Sequence, residues 1–116
     1  MRKLALGAGV LMGLVGCATT PVASEKLVDS KVAIRSAQDS GAEQVPAAAR
    51  HLKLAEEQNR LAEKELEDGN TEEAAHALMR AEADANLAVA LAKEAPTRRD
   101  AERARERIQA LQKQTQ

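Results

Sequence analysis

An all-α fold, organised around an elongated antiparallel helical hairpin, is predicted by three features of this sequence. Alanine recurs every seven residues at Ala48, Ala55 and Ala62 and again at Ala74, Ala81, Ala88 and Ala95, which is the interval of a heptad seam. Asp68-Gly69-Asn70 separates the two runs and carries the residue types that stop one helix and start another. The chain has no Phe, Tyr or Trp, the side chains that bury about 150–250 Å² each and dominate deep cores. What remains is alanine with Leu, Val and Ile, and alanine is the best helix former because it has no side-chain entropy to lose.

Residues 1–16 form a signal. Arg2 and Lys3 precede an uncharged run from Leu4 to Val15, the layout of a secretory signal peptide. A bilayer-spanning helix needs about 20 apolar residues, and Thr19-Thr20-Pro21 closes this stretch well short of that. Leu14, Val15, Gly16 and Cys17 then resemble a bacterial lipobox: Leu at minus three, a small residue at minus one and Cys at plus one. The resemblance implies diacylation of the Cys17 thiol, cleavage before it and acylation of the new amino group. Cys17 is the sole cysteine, so no intramolecular disulfide competes for its thiol. Several acyl chains on one residue hold a protein far more firmly than the marginal attachment that one chain gives. Ala18, in place of Asp, resembles the outer-membrane sorting pattern, and the expected location is the periplasmic face of the outer membrane.

Residues 17–23 read as a lipidated tether and 24–116 as a single alanine-rich helical domain. A first helix is expected over 24–40, with Leu27, Val28, Val32, Ile34 and Ala37 as its apolar positions and Gly41 as its stop. Gly41 to Val45 is a connection, and Pro46 opens the next helix, where a missing N–H costs nothing. That helix, 46–68, places Ala48, Leu52, Ala55, Ala62 and Leu66 on one seam, with Asn59 in the remaining slot as a polar register device solvated at one edge. Gly69 is placed for a left-handed C-cap and Asn70 with Glu73 for a capping box.

The third helix, 71–95, continues the seam through Ala74, Leu78, Ala81, Ala85, Ala88 and Ala92. Ala75, Ala77, Ala83, Ala90, Leu87, Val89 and Leu91 lie off that seam, so this helix is apolar around much of its circumference and needs a second neighbour, either the first helix or the C-terminal segment. Pro96 predicts a break, and Thr97 with Asp100 a new capping box opening a fourth helix over 98–113. Its apolar stripe is Ala101, Ala104, Ile108 and Leu111. Its charges alternate, with Arg103–Glu106 and Glu102–Arg105 at spacing three, each pair worth about 0.2–0.5 kcal/mol. That pattern reads as a solvated face, with a charged docking surface as the alternative.

Charge and chemistry exclude several classes of function. Removing residues 1–16 takes Arg2 and Lys3 from 17 basic residues and nothing from 18 acidic ones, which leaves 15 against 18 and a formal charge of −3. Nucleic-acid binding would call for a basic patch with stacking aromatics, so no nucleic-acid partner is expected. His51 and His76 fall about 16 Å apart along the hairpin, too far to share one ion, and neither has a second ligand at metal-binding spacing. No metal or cofactor is expected. Clustered carboxylates such as Glu56-Glu57, Glu63, Glu65 and Glu72-Glu73 lie on exposed helix faces without the desolvated cleft that acid/base catalysis uses. The chain does not read as an enzyme.

The mature region resembles a family of small alanine-rich bacterial envelope lipoproteins built on a domain of unknown function. The resemblance rests on Cys17, the Gly41-Ala42 break, the helix from Pro46 to Leu66, the Asp68-Gly69-Asn70 turn and the run from Ala74 to Ala95. Some relatives carry an added OmpA-like domain, which is not expected in a chain ending at Gln116. The resemblance implies a membrane-anchored periplasmic protein with a structural or adaptor role. Its expected partners are the lipid bilayer, through acylated Cys17, and a protein of the envelope. The alternative is a coiled-coil lipoprotein that self-associates as a homo-oligomer, its seams pairing between chains, and contributes to envelope integrity. An enzyme or metal carrier using His51 or His76 is the residual reading.

Overall fold

A computed structural model describes residues 21–115. Three α-helices occupy nearly all of them: α1 (Pro21–Asp39), α2 (Pro46–Glu67) and α3 (Thr71–Gln114), with a short 3-10 turn (Ala42–Gln44) between α1 and α2. The described residues contain no strand. The predicted all-α class and the hairpin of α2 and α3 are therefore found. Lipobox residues Leu14, Val15, Gly16 and Cys17 lie outside the described residues.

The hairpin turn forms as its residue types dictate. Asp68 ends α2, and Gly69 adopts φ +85°, the left-handed conformation that glycine enters without penalty. The Asn70 N–H donates to the Glu65 carbonyl at 2.8 Å and the Gly69 N–H to the Leu66 carbonyl at 3.2 Å, the paired bonds of a Schellman ending. Asn70 occupies the N-cap position of α3, but its side chain makes no capping bond there. Its amide donates instead to Glu65 Oε2 at 2.7 Å, so the expected capping box with Glu73 does not form. At the other connection Gly41 takes φ +77°, and the Ser40 hydroxyl donates to the Ala37 carbonyl at 2.8 Å.

Both hairpin seams are buried along the expected positions. Ala48, Leu52, Ala55, Asn59 and Ala62 of α2 face Ala74, Leu78, Ala81, Ala85, Ala88 and Ala92 of α3, with Ala77 beside them. These seams close on one another within one chain. α1 supplies the second neighbour that α3 needs and lies chiefly against α3, less against α2. Leu27 joins Leu66, Ala62, Ala74, Ala77 and Leu78 near the turn, while Ala37 and Ala42 join Ala48, Leu52, Ala88 and Ala92 at the open end. α1 and α3 therefore run parallel, with α2 antiparallel to both.

Two expectations about the flanking helices are corrected. α1 already includes Pro21, three residues before the predicted start. Ala23 is already buried, so residues 21–23 are part of this helix. The face that α1 buries also differs: Val28 and Val32 are 60% and 63% exposed, whereas Ala23, Ser30, Ala33 and Ala37 are buried. Ala23, Leu27, Ser30, Ile34 and Ala37 form a heptad seam of mostly small residues. Matching the alanine seams of α2 and α3 required close approach more than it required bulk.

The second correction concerns the C-terminus. α3 is one helix of 44 residues that passes through Pro96, about 66 Å long at 1.5 Å per residue. No separate fourth helix starts at Arg98. Pro96 removes one backbone bond and crowds the carbonyl of Ala92, but it is exposed, so water can satisfy the freed carbonyl. Strong helix formers such as Ala95, Arg98, Arg99 and Ala101 surround it. Thr97 and Asp100 lie inside the helix, and Arg103 pairs with Asp100 in place of Glu106. Beyond Ala92 the helix leaves the bundle as a projecting arm: every residue from Lys93 to Thr115 is exposed except Ala95, which is partly buried.

Close packing of this kind makes the seam intolerant of added volume. Leu52 and Leu78 are the only large apolar side chains buried within it. Ala85→Leu is expected to lower unfolding free energy by about 1–3 kcal/mol through overpacking, and Leu78→Ala by about 2–5 kcal/mol through cavity formation. Leu61→Ala, at an exposed position, should stay within about 0.5 kcal/mol. Urea denaturation followed by circular dichroism measures all three.

Candidate functional site

Two polar contacts cross the bundle interior, and both join residues that only the fold brings together. The first lies on the seam itself. Ser30 is fully buried and Asn59 is 7% exposed; the Ser30 hydroxyl donates to Asn59 Oδ1 at 2.6 Å. The Leu27 carbonyl lies 3.1 Å from the same hydroxyl and forms a second, weaker acceptor. Asn59 was expected to be solvated at one edge, but α1 covers it. A buried amide oxygen costs free energy unless bonded, and Ser30 supplies its donor with a side chain small enough to keep α1 close.

Ser30 carried a signal that apolar counting misses: it occupies the middle slot of the Ala23, Leu27, Ile34, Ala37 heptad. The resulting Ser30–Asn59 pair sits between the apolar layer of Ala33, Ala55 and Ala85 and the layer around Ala62 and Leu78. A slip of either helix by one heptad would leave both groups buried without a partner. The pair thus fixes the register of α1 on the hairpin, the role that a polar seam residue plays in coiled coils.

The second contact lies at the seam edge. His51 Nδ1 is 2.8 Å from Asp84 Oδ1, with the two side chains 33% and 26% exposed. His51 on α2 thereby pairs across the hairpin with α3, a partner that sequence spacing did not reveal because Asp84 lies one turn away from the position level with His51. His76 is exposed near the turn, and the structure does not bring it to His51. Among the described residues no three His, Cys, Asp or Glu side chains converge in a metal-binding arrangement.

The remaining surface is shaped by charge. Lys31 of α1 pairs with Glu63 of α2 at 2.7 Å, the Gln38 amide donates to Glu56 at 3.1 Å, and Arg80 donates to Gln58 at 3.2 Å. Concave regions of the described surface are shallow and open, such as the depression lined by Gln44, Val45, Pro46, Ala95, Arg98 and Glu102 at the root of the arm. No described helix is long and apolar enough to cross a membrane.

The buried pair can be tested by a double-mutant cycle. Ser30→Ala alone should cost about 1–3 kcal/mol, because Asn59 is left buried without a partner, whereas Ser30→Ala combined with Asn59→Leu should be close to neutral. Chemical denaturation provides the measurement. A Ser30→Ala variant as stable as the parent would mean that Asn59 reaches water, as the sequence alone suggests.

A family model described as a domain of unknown function (DUF4398) matches residues 25–104. The match covers all but the start of α1, the whole of α2 and α3 through Pro96 to Ala104. No curated protein matches the chain, and no solved structure does. With the match extending over well more than half of its length, the chain belongs to the DUF4398 family.

Proposed function

We propose that this protein is a lipid-anchored, non-enzymatic helical lipoprotein of the bacterial envelope, held by acylated Cys17 at the periplasmic face of the outer membrane, where it serves as a structural or adaptor rod. The observation that carries this reading is the arrangement of the two ends of the bundle. Pro21 of α1 lies toward the hairpin turn, because Leu27 packs with Leu66 and Ala74. Pro21 follows Cys17 by four chain steps, with three residues between them, a reach of at most about 14 Å. A lipid on Cys17 would therefore hold the molecule by its turn end, while α3 runs the other way for about 66 Å.

The interior supports a scaffold role over a catalytic one. Its buried positions are alanines, two leucines and one internally satisfied polar pair. The carboxylates are distributed over solvated faces, and the concave regions of the described surface are open depressions rather than the enclosed, mostly apolar clefts that ligand sites use. The partner of such a rod is a protein of the envelope, reached by a helix face that stands clear of the membrane.

Anchoring is tested by Cys17→Ser in the bacterial host. The variant is expected to lose palmitate labelling and to leave the membrane fraction while its helical signal persists. Continued sedimentation with membranes would contradict the anchor. Crosslinking in intact envelopes tests the adaptor role: a discrete crosslinked envelope protein supports it, and the absence of any crosslinked protein speaks against it.

A further inference from the structure

α3 carries a second seam on the side away from the bundle. Ala83, Leu87 and Ala90 are exposed, and the same three-and-four spacing continues through Glu94, Thr97, Ala101, Ala104, Ile108 and Leu111. In a helix advancing about 100° per residue, these positions lie nearly opposite the inner seam of Ala74 to Ala92. The root of the arm confirms the orientation: Ala95, Arg98, Arg99 and Glu102 line the depression beside Val45 and Pro46, which leaves Ala101 and Ala104 facing outward. Ile108 and Leu111 are 55% and 62% exposed.

We infer that this outer seam pairs with the same seam of a second copy, in parallel and in register, as a two-stranded coiled coil centred on the arm. Counting Glu94, Ala101 and Ile108 as a positions makes Thr97, Ala104 and Leu111 the d positions. A β-branched residue at a with leucine at d is the combination that favours parallel dimers. The flanking charges select the orientation. Lys93, Asp100 and Arg107 lie on one side of the stripe and Arg98, Arg105 and Gln112 on the other. In the parallel register Asp100 of each copy meets Arg105 of the other, and Glu94 is bracketed by Lys93 and Arg98.

In that register Lys93 faces Arg98 and Glu94 faces Glu94 of the other copy; both like pairs are moderated because Arg98 holds the Glu94 of its own chain at 3.0 Å. The antiparallel register that would best match the apolar residues, Leu87 with Leu111 and Ala90 with Ile108, sets Arg98 against Arg98, Asp100 against Asp100 and Lys93 against Arg107. Like charges across a seam oppose association, so that register is disfavoured. The inner seam stays occupied by α1 and α2, and the two bundles lie on the outside of the pair.

This inference stands on α3 alone and is independent of acylation at Cys17. It is tested by sedimentation equilibrium of the chain from Ala18 onward, which holds every contact described above. The expected result is a reversible dimer. Ile108→Lys with Leu111→Lys should give a monomer that keeps the unfolding transition of the bundle. Asp100→Arg should weaken the dimer by about tenfold or more, and adding Arg105→Asp should restore it. Thr115→Cys, then the sole thiol, should form a disulfide between copies under mild oxidation. In the antiparallel register the two 115 positions would be roughly 48 Å apart.

A concentration-independent monomer would overturn the inference, as would a dimer that survives Ile108→Lys with Leu111→Lys. A dimer that neither crosslinks through residue 115 nor recovers on charge exchange would overturn its parallel register.

Discussion

Every large feature of this molecule follows from the distance at which its helices must pack. Alanine at each heptad step on α2 and α3 allows their axes to approach near the lower end of the usual 8–10 Å range, and that approach leaves no space for bulk. With Leu52 and Leu78 as the only large apolar groups buried in the seam, stability comes from many close contacts that are individually weak. The same constraint selects the face of α1. A helix offering Val28 and Val32 would stand off from the hairpin, whereas one offering Ala23, Ser30, Ala33 and Ala37 can close on it.

Close approach also explains why a polar layer is tolerated. Alanine seams are alike at every step, so apolar contact by itself discriminates poorly between registers. Ser30 and Asn59 supply the missing discrimination, since their 2.6 Å bond exists in one alignment only. α3 is the spine on which both other helices depend. Where their partners end, near Ala92, it continues alone, and the charge changes with it. Residues 25–92 hold 14 acidic and 8 basic side chains, while 93–115 hold 4 acidic and 7 basic ones. The molecule thus has an acidic body and a basic arm, leaving from the end opposite the start of α1.

Much of this was legible in the sequence wherever local chemistry and seam period agreed. Gly69 and Gly41 each marked a turn because their left-handed conformations depend on glycine, and the alanine heptads named the buried face of the hairpin residue by residue. The sequence was less informative where tertiary context decides. Val28 and Val32 suggested a face for α1 by hydrophobicity, but packing distance chose the smaller residues. Asn59 could be placed on the seam yet not under α1, because its partner Ser30 lies 29 positions away. Pro96 signalled a break on local grounds, and helix-forming neighbours at a solvent-exposed position outweighed it. The lipobox around Cys17 remains a reading of residues alone, lying outside the described part of the chain.

The central claim is that three helices close on one alanine seam and that this closure ends at Ala92. Amide hydrogen exchange followed residue by residue, at a dilution where single copies prevail, tests it most directly. Protection arises where opening requires loss of the bundle. The account predicts the slowest exchange in α1 from Leu27 to Ala37, in α2 from Leu52 to Ala62 and in α3 from Leu78 to Ala92, followed by a sharp fall from Arg98 onward. Rapid exchange throughout α1, or protection that continues undiminished along the arm to Leu111, would contradict it.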